Sequence, residues 1–304
     1  MSYKIRLGLF LGCLLLLVAV AGLIGCGIRT ENTSYFYSPG WTAGGNIIFI
    51  KGLQSVSKDI IGSQTGSSYT ESVTTMTAAG AGETFWFDVT GAPPHAMSCA
   101  PTGTEYVAYM DQQDGATGLF GKVIIRNIAA GTHSGLEKVE LSFSPGIKSF
   151  DWSSDATRIV YCTTQEVRTI KLDSTGNTLV TAESNLSFVT WKYGARIAFV
   201  HGSPSILSLI YADGTGRLNL AAAASVTKPQ ISAGNTNEVL GIAGGSFCSV
   251  NVSGTPATTE VFAGFGGDLP RLNPAADTVT YSKAGESSGI YLLNLSAKTE
   301  SKLK

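Results

Sequence analysis

The residues able to carry acid–base, nucleophilic or metal chemistry are few and far apart. The chain of 304 residues has three histidines, His95, His133 and His201. A hydrolytic or metal centre needs imidazole to converge with carboxylates or thiolates. His95 falls at the start of a strand-like run, His133 in a turn and His201 just past another run, in three different repeats of the chain. Each therefore reads as a lone surface or strand-end histidine. The five cysteines are Cys13, Cys26, Cys99, Cys162 and Cys248. The last three lie 63 and 86 residues apart, too far for a zinc ligand pattern. Each sits in an apolar run and reads as a small buried side chain. Asp111-Gln112-Gln113-Asp114-Gly115 has the look of a calcium loop but lacks the downstream bidentate Glu, so a polar hairpin is expected there. No phosphate-cradling loop with Lys-Ser/Thr and no dinucleotide fingerprint is present. The reading is of no catalytic residue, no metal site and no cofactor.

Elsewhere the sequence speaks of location. Lys4 and Arg6 precede an apolar run from Leu7 to Ile24, which ends in Leu23-Ile24-Gly25-Cys26. These zones resemble the signal and lipobox of bacterial lipoproteins. The resemblance implies a removable signal peptide over residues 1–25 and acylation of Cys26 as the first mature residue. Residues 26–33 are then the lipidated Cys with a short tether, and 34–304 the folded domain. Several acyl chains hold a protein firmly to a membrane where one does not. Gly27, where the family's sorting rule places Asp for inner-membrane retention, implies an outer-membrane protein facing the periplasm if the organism is Gram-negative. The rival for the run alone is an uncleaved membrane anchor.

Loss of Lys4 and Arg6 with the signal takes the net charge from −1 to −3. A mildly acidic chain with 14% charged residues excludes nucleic acid as the main partner. The 36 glycines and frequent Ser and Thr suit short strands joined by tight turns.

One unit recurs along the chain: an apolar strand, a polar turn, a second strand, a loop, then two more strands about a Gly-containing turn. Its clearest copy is 147–182, with Ile159-Val160-Tyr161 as the second strand. The second strands begin at Ile47, Val107, Ile159, Ile197, Val239 and Val279, with separations of 60, 52, 38, 42 and 40. A four-stranded propeller blade repeats every ~40–45 residues. The excess in the first two intervals lies between second and third strands, at Gly52–Thr70 and Asp111–Gly121. Both are expected as loop insertions. One twisted sheet with two apolar faces cannot bury them alone, whereas six in a ring can. The fold class is thus all-β, a six-bladed propeller of four-stranded antiparallel blades. Trp41, Trp152, Trp191, Phe199, Tyr109, Tyr161 and Tyr281 are expected to pack between blades. How the ring closes is open: Thr33–Ser38 fits either the first blade's inner strand or an outer strand of the last.

The turns Ser38-Pro39-Gly40, Ala100-Pro101-Thr102-Gly103, Ser153-Ser154-Asp155 and Asn273-Pro274-Ala275 resemble those of the TolB family of propeller repeats. So do the later turns Asp173-Ser174-Thr175-Gly176 and Ala212-Asp213-Gly214-Thr215-Gly216. The resemblance spans residues 34–304 and implies the propeller fold. TolB carries an α/β domain before its propeller, for which 27–33 leave no room, so the likeness bears on architecture more than on role.

Propellers bind partners at the mouth of the central channel. The two insertions are expected on that face, on adjacent blades, offering Lys58, Asp59, Tyr69, Asp111, Asp114 and Phe120 to a partner. Lys148, Asp151, Lys228 and Arg271, on inner strands, are expected to line the channel. The leading reading is a non-enzymatic, lipid-anchored scaffold that binds an envelope protein or a peptidoglycan-linked partner. The alternatives are a glycan-processing lyase or hydrolase, which needs a convergent cluster such as His95, Asp151 and Arg271, and a propeller that senses a small ligand in its channel.

Overall fold

The computed structural model describes residues 29–59, 62–89, 96–103, 105–128, 138–220, 225–232, 235, 237–253, 257–283 and 288–304. The expected signal peptide, Cys26, Gly27, His95 and His133 lie outside them.

The described chain is built of strands in six four-stranded sheets, each made of consecutive strands. The first holds β1 (Arg29–Trp41), β2 (Ile47–Lys58), β3 (Gln64–Met76) and β4 (Thr84–Val89). The second holds β5 (Met97–Cys99), β6 (Tyr106–Gln113), β7 (Phe120–Asn127) and β8 (Lys138–Ile147). The third holds β9 (Ser149–Trp152), β10 (Arg158–Cys162), β11 (Glu166–Lys171) and β12 (Thr178–Ala182). The fourth holds β13 (Phe188–Thr190), β14 (Arg196–His201), β15 (Ile206–Tyr211) and β16 (Leu218–Leu220). The fifth holds β17 (Thr227–Ile231), β18 (Glu238–Ala243), β19 (Ser246–Asn251) and β20 (Ala257–Phe262). The sixth holds β21 (Asp268–Leu272), β22 (Thr278–Lys283), β23 (Gly289–Asn294) and β24 (Thr299–Lys302). This is a six-bladed propeller. Among the described residues no helix is long and apolar enough to cross a membrane.

Period-two alternation explains the ring. In β10, Ile159 and Tyr161 pack toward the second sheet, while Val160 and Cys162 pack toward the fourth. Each sheet thus feeds two apolar cores, and the buried residues group into six clusters, one at each junction of neighbouring sheets. The last joins Trp41, Ile47, Phe49 and Met76 of the first sheet to Ile290 of the sixth. Closure therefore comes from side-chain packing, with no strand exchanged: β1 is hydrogen-bonded beside β2. Trp41, Trp152, Phe199, Tyr109, Tyr161 and Tyr281 are all buried in these cores, and Trp191 packs against one half-buried. Cys99, Cys162 and Cys248 are free and buried.

The chain divides into two compact units, one of residues 1–34 and 52–70, the other of 35–51 and 71–304. The stretch Gly52–Thr70, singled out by the repeat spacing, is thus structurally separate too. It is not a loop. It continues β2 and β3, and Arg29–Thr33, expected as tether, are the opening residues of β1. Chains rich in Ser, Thr, Val and Tyr extend readily once a neighbouring strand supplies hydrogen bonds. Within this unit Ser55 Oγ donates to Asn32 Oδ1 at 2.7 Å and Lys58 Nζ donates to Glu31 Oε2 at 2.6 Å. The second insertion is likewise a prolonged hairpin of β6 and β7, closed at Asp114–Leu119.

Candidate functional site

The same backbone hydrogen bond closes the first turn of five sheets: Thr42 to Asn46, Ala100 to Tyr106, Ser153 to Arg158, Ser232 to Glu238 and Asn273 to Thr278. Two residues before each donor stand Gly40, Ser98, Asp151, Gln230 and Arg271. In the fourth sheet the register Thr190↔Ala198 matches Asp151↔Val160 and adds Thr190. These six equivalent positions form one ring on the innermost strands. All are buried, and Arg271 is only 3% exposed.

Apolar residues would be expected at so buried a level, yet five of the six are polar. Asp151 is held by its two flanking sheets. Ser98 Oγ donates to Oδ1 at 2.6 Å, while Thr190 Oγ1 and the Trp191 amide donate to Oδ2 at 2.5 and 3.3 Å. Its charge is stabilised by neutral donors. The Trp152 indole donates to the Ser98 carbonyl at 3.0 Å and fixes the same junction.

The cations are less well served. Arg271 reaches past Gly40 of the first sheet and donates from Nη2 to the Met97 carbonyl of the second at 3.3 Å. Its Nε and Nη1 are buried without a partner among the described residues. Lys192, 3% exposed, stretches from the fourth sheet to the Trp41 carbonyl of the first at 3.4 Å. Burial lowers its pKa; Cys99 and Asp151 pull it up, and Arg271 pushes it further down. Lys228, half-buried, pairs with Asp268, and burial and Arg271 lower its pKa too. Burial raises the Tyr193 phenol, aided by Asp151 and Cys99; its hydroxyl is buried without a partner among the described residues.

Of the residues expected to line the channel, Asp151 and Arg271 thus belong to the inner ring, and Lys228 adjoins it through the left-handed turn in β17 (φ 50°). Lys148 is exposed at the entrance to β9. Lys192 was not foreseen. It stands where other repeats carry Ser, Thr, Asn or Ala, and that mismatch was the available signal.

The expected partner-face residues fall on two hairpins. Lys58, Asp59 and Tyr69 lie on the prolonged first hairpin, where Tyr69 covers Gly52: a Cβ there would meet its hydroxyl at 2.6 Å. Asp111 and Asp114 lie on the second hairpin. Asp114 accepts from the Ala116 amide and the Thr117 hydroxyl at 2.9 and 2.7 Å, which lowers its pKa and explains the calcium-loop look as turn chemistry. Phe120 is a correction. It is 6% exposed in the core between second and third sheets, because the strand reaches back to it and turns its ring inward.

His201 is a second correction. It ends β14 as expected but is buried and not alone, with Nε2 at 2.9 Å from Ser208 Oγ and Nδ1 at 3.4 Å from Glu183. Ser, His and Glu in this order have the composition of a hydrolase relay. Here Ser208 is wholly buried and donates its proton to Asn219 at 2.9 Å, so its oxygen is neither open to substrate nor hydrogen-bonded as an attacking group would be. Gly285-Glu286-Ser287-Ser288-Gly289 has the spacing of a nucleophile elbow. It joins β22 to β23, two strands, where an elbow needs a strand-to-helix turn; residues 284–287 lie outside the described part. Among the described residues no group of three His, Cys, Asp or Glu could hold a metal ion.

Comparison with known proteins rests on structure alone, as no protein-family model and no curated protein matches the sequence. The crystal structure of TolB from Acinetobacter baumannii aligns with a TM-score of 0.56 at 10% identity, over 90% of this chain and 79% of that one. The chain shares its propeller fold with TolB. A chain from a crystallised nidogen/laminin complex aligns with a TM-score of 0.53 at 9% identity, over 89% of this chain and 92% of that one. At such identities the likeness is one of fold.

Proposed function

We propose that the protein is a non-enzymatic binding module of the cell envelope, lipid-anchored at Cys26, that holds an envelope protein or peptidoglycan-linked partner on its prolonged first hairpin. The observation that carries this is the edge of β3. Among the described residues β4 pairs with Glu71–Thr75 of that strand, and residues 64–70 run on with every residue exposed. Leu53 and Tyr69 on the same unit are 38% and 43% exposed. A strand edge of this kind accepts a partner strand by main-chain hydrogen bonding, and adjacent side chains supply selectivity. The nidogen/laminin complex is a protein assembly containing a chain of similar fold. The envelope location rests on the sequence of residues 1–26.

The test is to replace Gly52–Thr70 by a short turn and recover cross-linked partners from envelope extracts. The shortened protein, with an unchanged circular dichroism spectrum, should lose the partner; equal recovery would overturn the reading. Cys26→Ser should leave an unprocessed precursor that takes up no acyl label.

A further inference from the structure

The geometry points to a binding site for a compact oxyanion, a carboxylate or a phosphate, between Arg271 and Lys192 inside the ring. Sheets six and four lie apart, yet their two cationic heads converge on the first and second inner strands. Arg271 ends at the Met97 carbonyl and Lys192 at the Trp41 carbonyl. The Trp41 indole closes the circuit by donating to the Arg271 carbonyl at 3.2 Å. Cys99 adjoins both: its thiol is buried and feels both positive charges. Gly40 keeps this stretch free of a side chain, with the Cys99 sulfur 3.8 Å from where its Cβ would stand.

Neither cation has a carboxylate within ion-pair distance among the described residues. Asp151, the nearest acid of the ring, has both oxygens engaged by Ser98, Thr190 and the Trp191 amide. A guanidinium cannot shed its proton, and a buried charge without a counter-charge is costly. Lys192 can shed its own, but the Nε–H and Nη1–H of Arg271, which point to different sides of the guanidinium, are left without an acceptor among the described residues. Either donor can hold one oxygen of a carboxylate or phosphate by a charge-assisted bond. The Lys192 ammonium adds a second contact. The site is independent of the hairpin and stands or falls apart from it.

The experiment is thermal unfolding and titration calorimetry of the whole protein with acetate, succinate or inorganic phosphate, against sodium chloride at equal ionic strength. At least one of the three should raise the Tm saturably beyond chloride. Which one does so separates a carboxylate from a phosphate ligand. Arg271→Gln should weaken that binding by about tenfold or more, the loss of a charge-assisted contact. No anion exceeding chloride, or an unchanged response in a folded R271Q, would overturn the site. If R271Q does not fold, Lys192→Gln decides: weakened binding supports the site, and unaltered binding refutes it.

Discussion

His201 shows how burial changes the chemistry of one residue. Its pKa is lowered, chiefly by burial; Glu183 pulls it up and Arg217 pushes it down. The unfolded chain takes up the proton as pH falls through about 6.5, while the folded chain resists until lower pH. The stability this residue contributes is therefore complete above that range and is lost as pH drops through it. His201→Gln should flatten the slope of unfolding free energy between about pH 7 and 5 relative to the parent; parallel slopes would count against it. The thiols give a second check. Burial pushes Cys99 to about 11 and Cys162 to about 12. Alkylation of both at pH 8 should wait for denaturant, and prompt labelling of the folded chain would contradict the packing. At this scale the sequence was only partly readable. Asp151 and Arg271 were found because they interrupt apolar inner strands. Lys192 follows Trp191 as an ordinary turn residue would, and His201 looked solitary because Glu183 and Ser208 reach it only through strand pairing and sheet packing.

At the scale of elements, the inner and second strands were legible because β-branched and aromatic runs are bracketed by turn residues at regular intervals. The first hairpin was misjudged for a physical reason. Gln64–Thr70 are exposed throughout, so no alternation of apolar and polar residues marks them as strand. Repeat spacing located the excess and could not give its conformation. The unit has its own hydrogen bonds, Ser55 to Asn32 and Thr65 to the Ser57 carbonyl, and its own turn, in which the Ser63 amide donates to Asp59 Oδ1 at 2.9 Å. Excision of Gly52–Thr70 is therefore expected to leave the thermal transition of the remaining chain within a few degrees, roughly 1 kcal/mol. A fall of tens of degrees would show the hairpin to be part of the fold's stability.

For the whole molecule, the repeat count correctly gave six sheets, but closure was not legible, because it depends on which side chains of the first and last sheets meet. Among the described residues that junction has five buried apolar residues in its core, against thirteen between sheets two and three. It is supplemented by the Trp41 bond to Arg271 and by Lys304 pairing with Glu83 at 2.5 Å. Ile290→Ala should cost about 2–5 kcal/mol, as should Ile159→Ala, but only I290A should open the ring there and speed proteolysis near the C-terminal strands. Equal protease patterns would argue against a weak junction. Because every sheet owns four successive strands, each can assemble as soon as its own ~40 residues are available, with no need of a distant segment. As the chain emerges from the ribosome, five interfaces can form in order while the apolar face of Ile47, Phe49 and Met76 stays bare. That face waits for Ile290 of the sixth sheet, and is where a holding chaperone has the longest time to act.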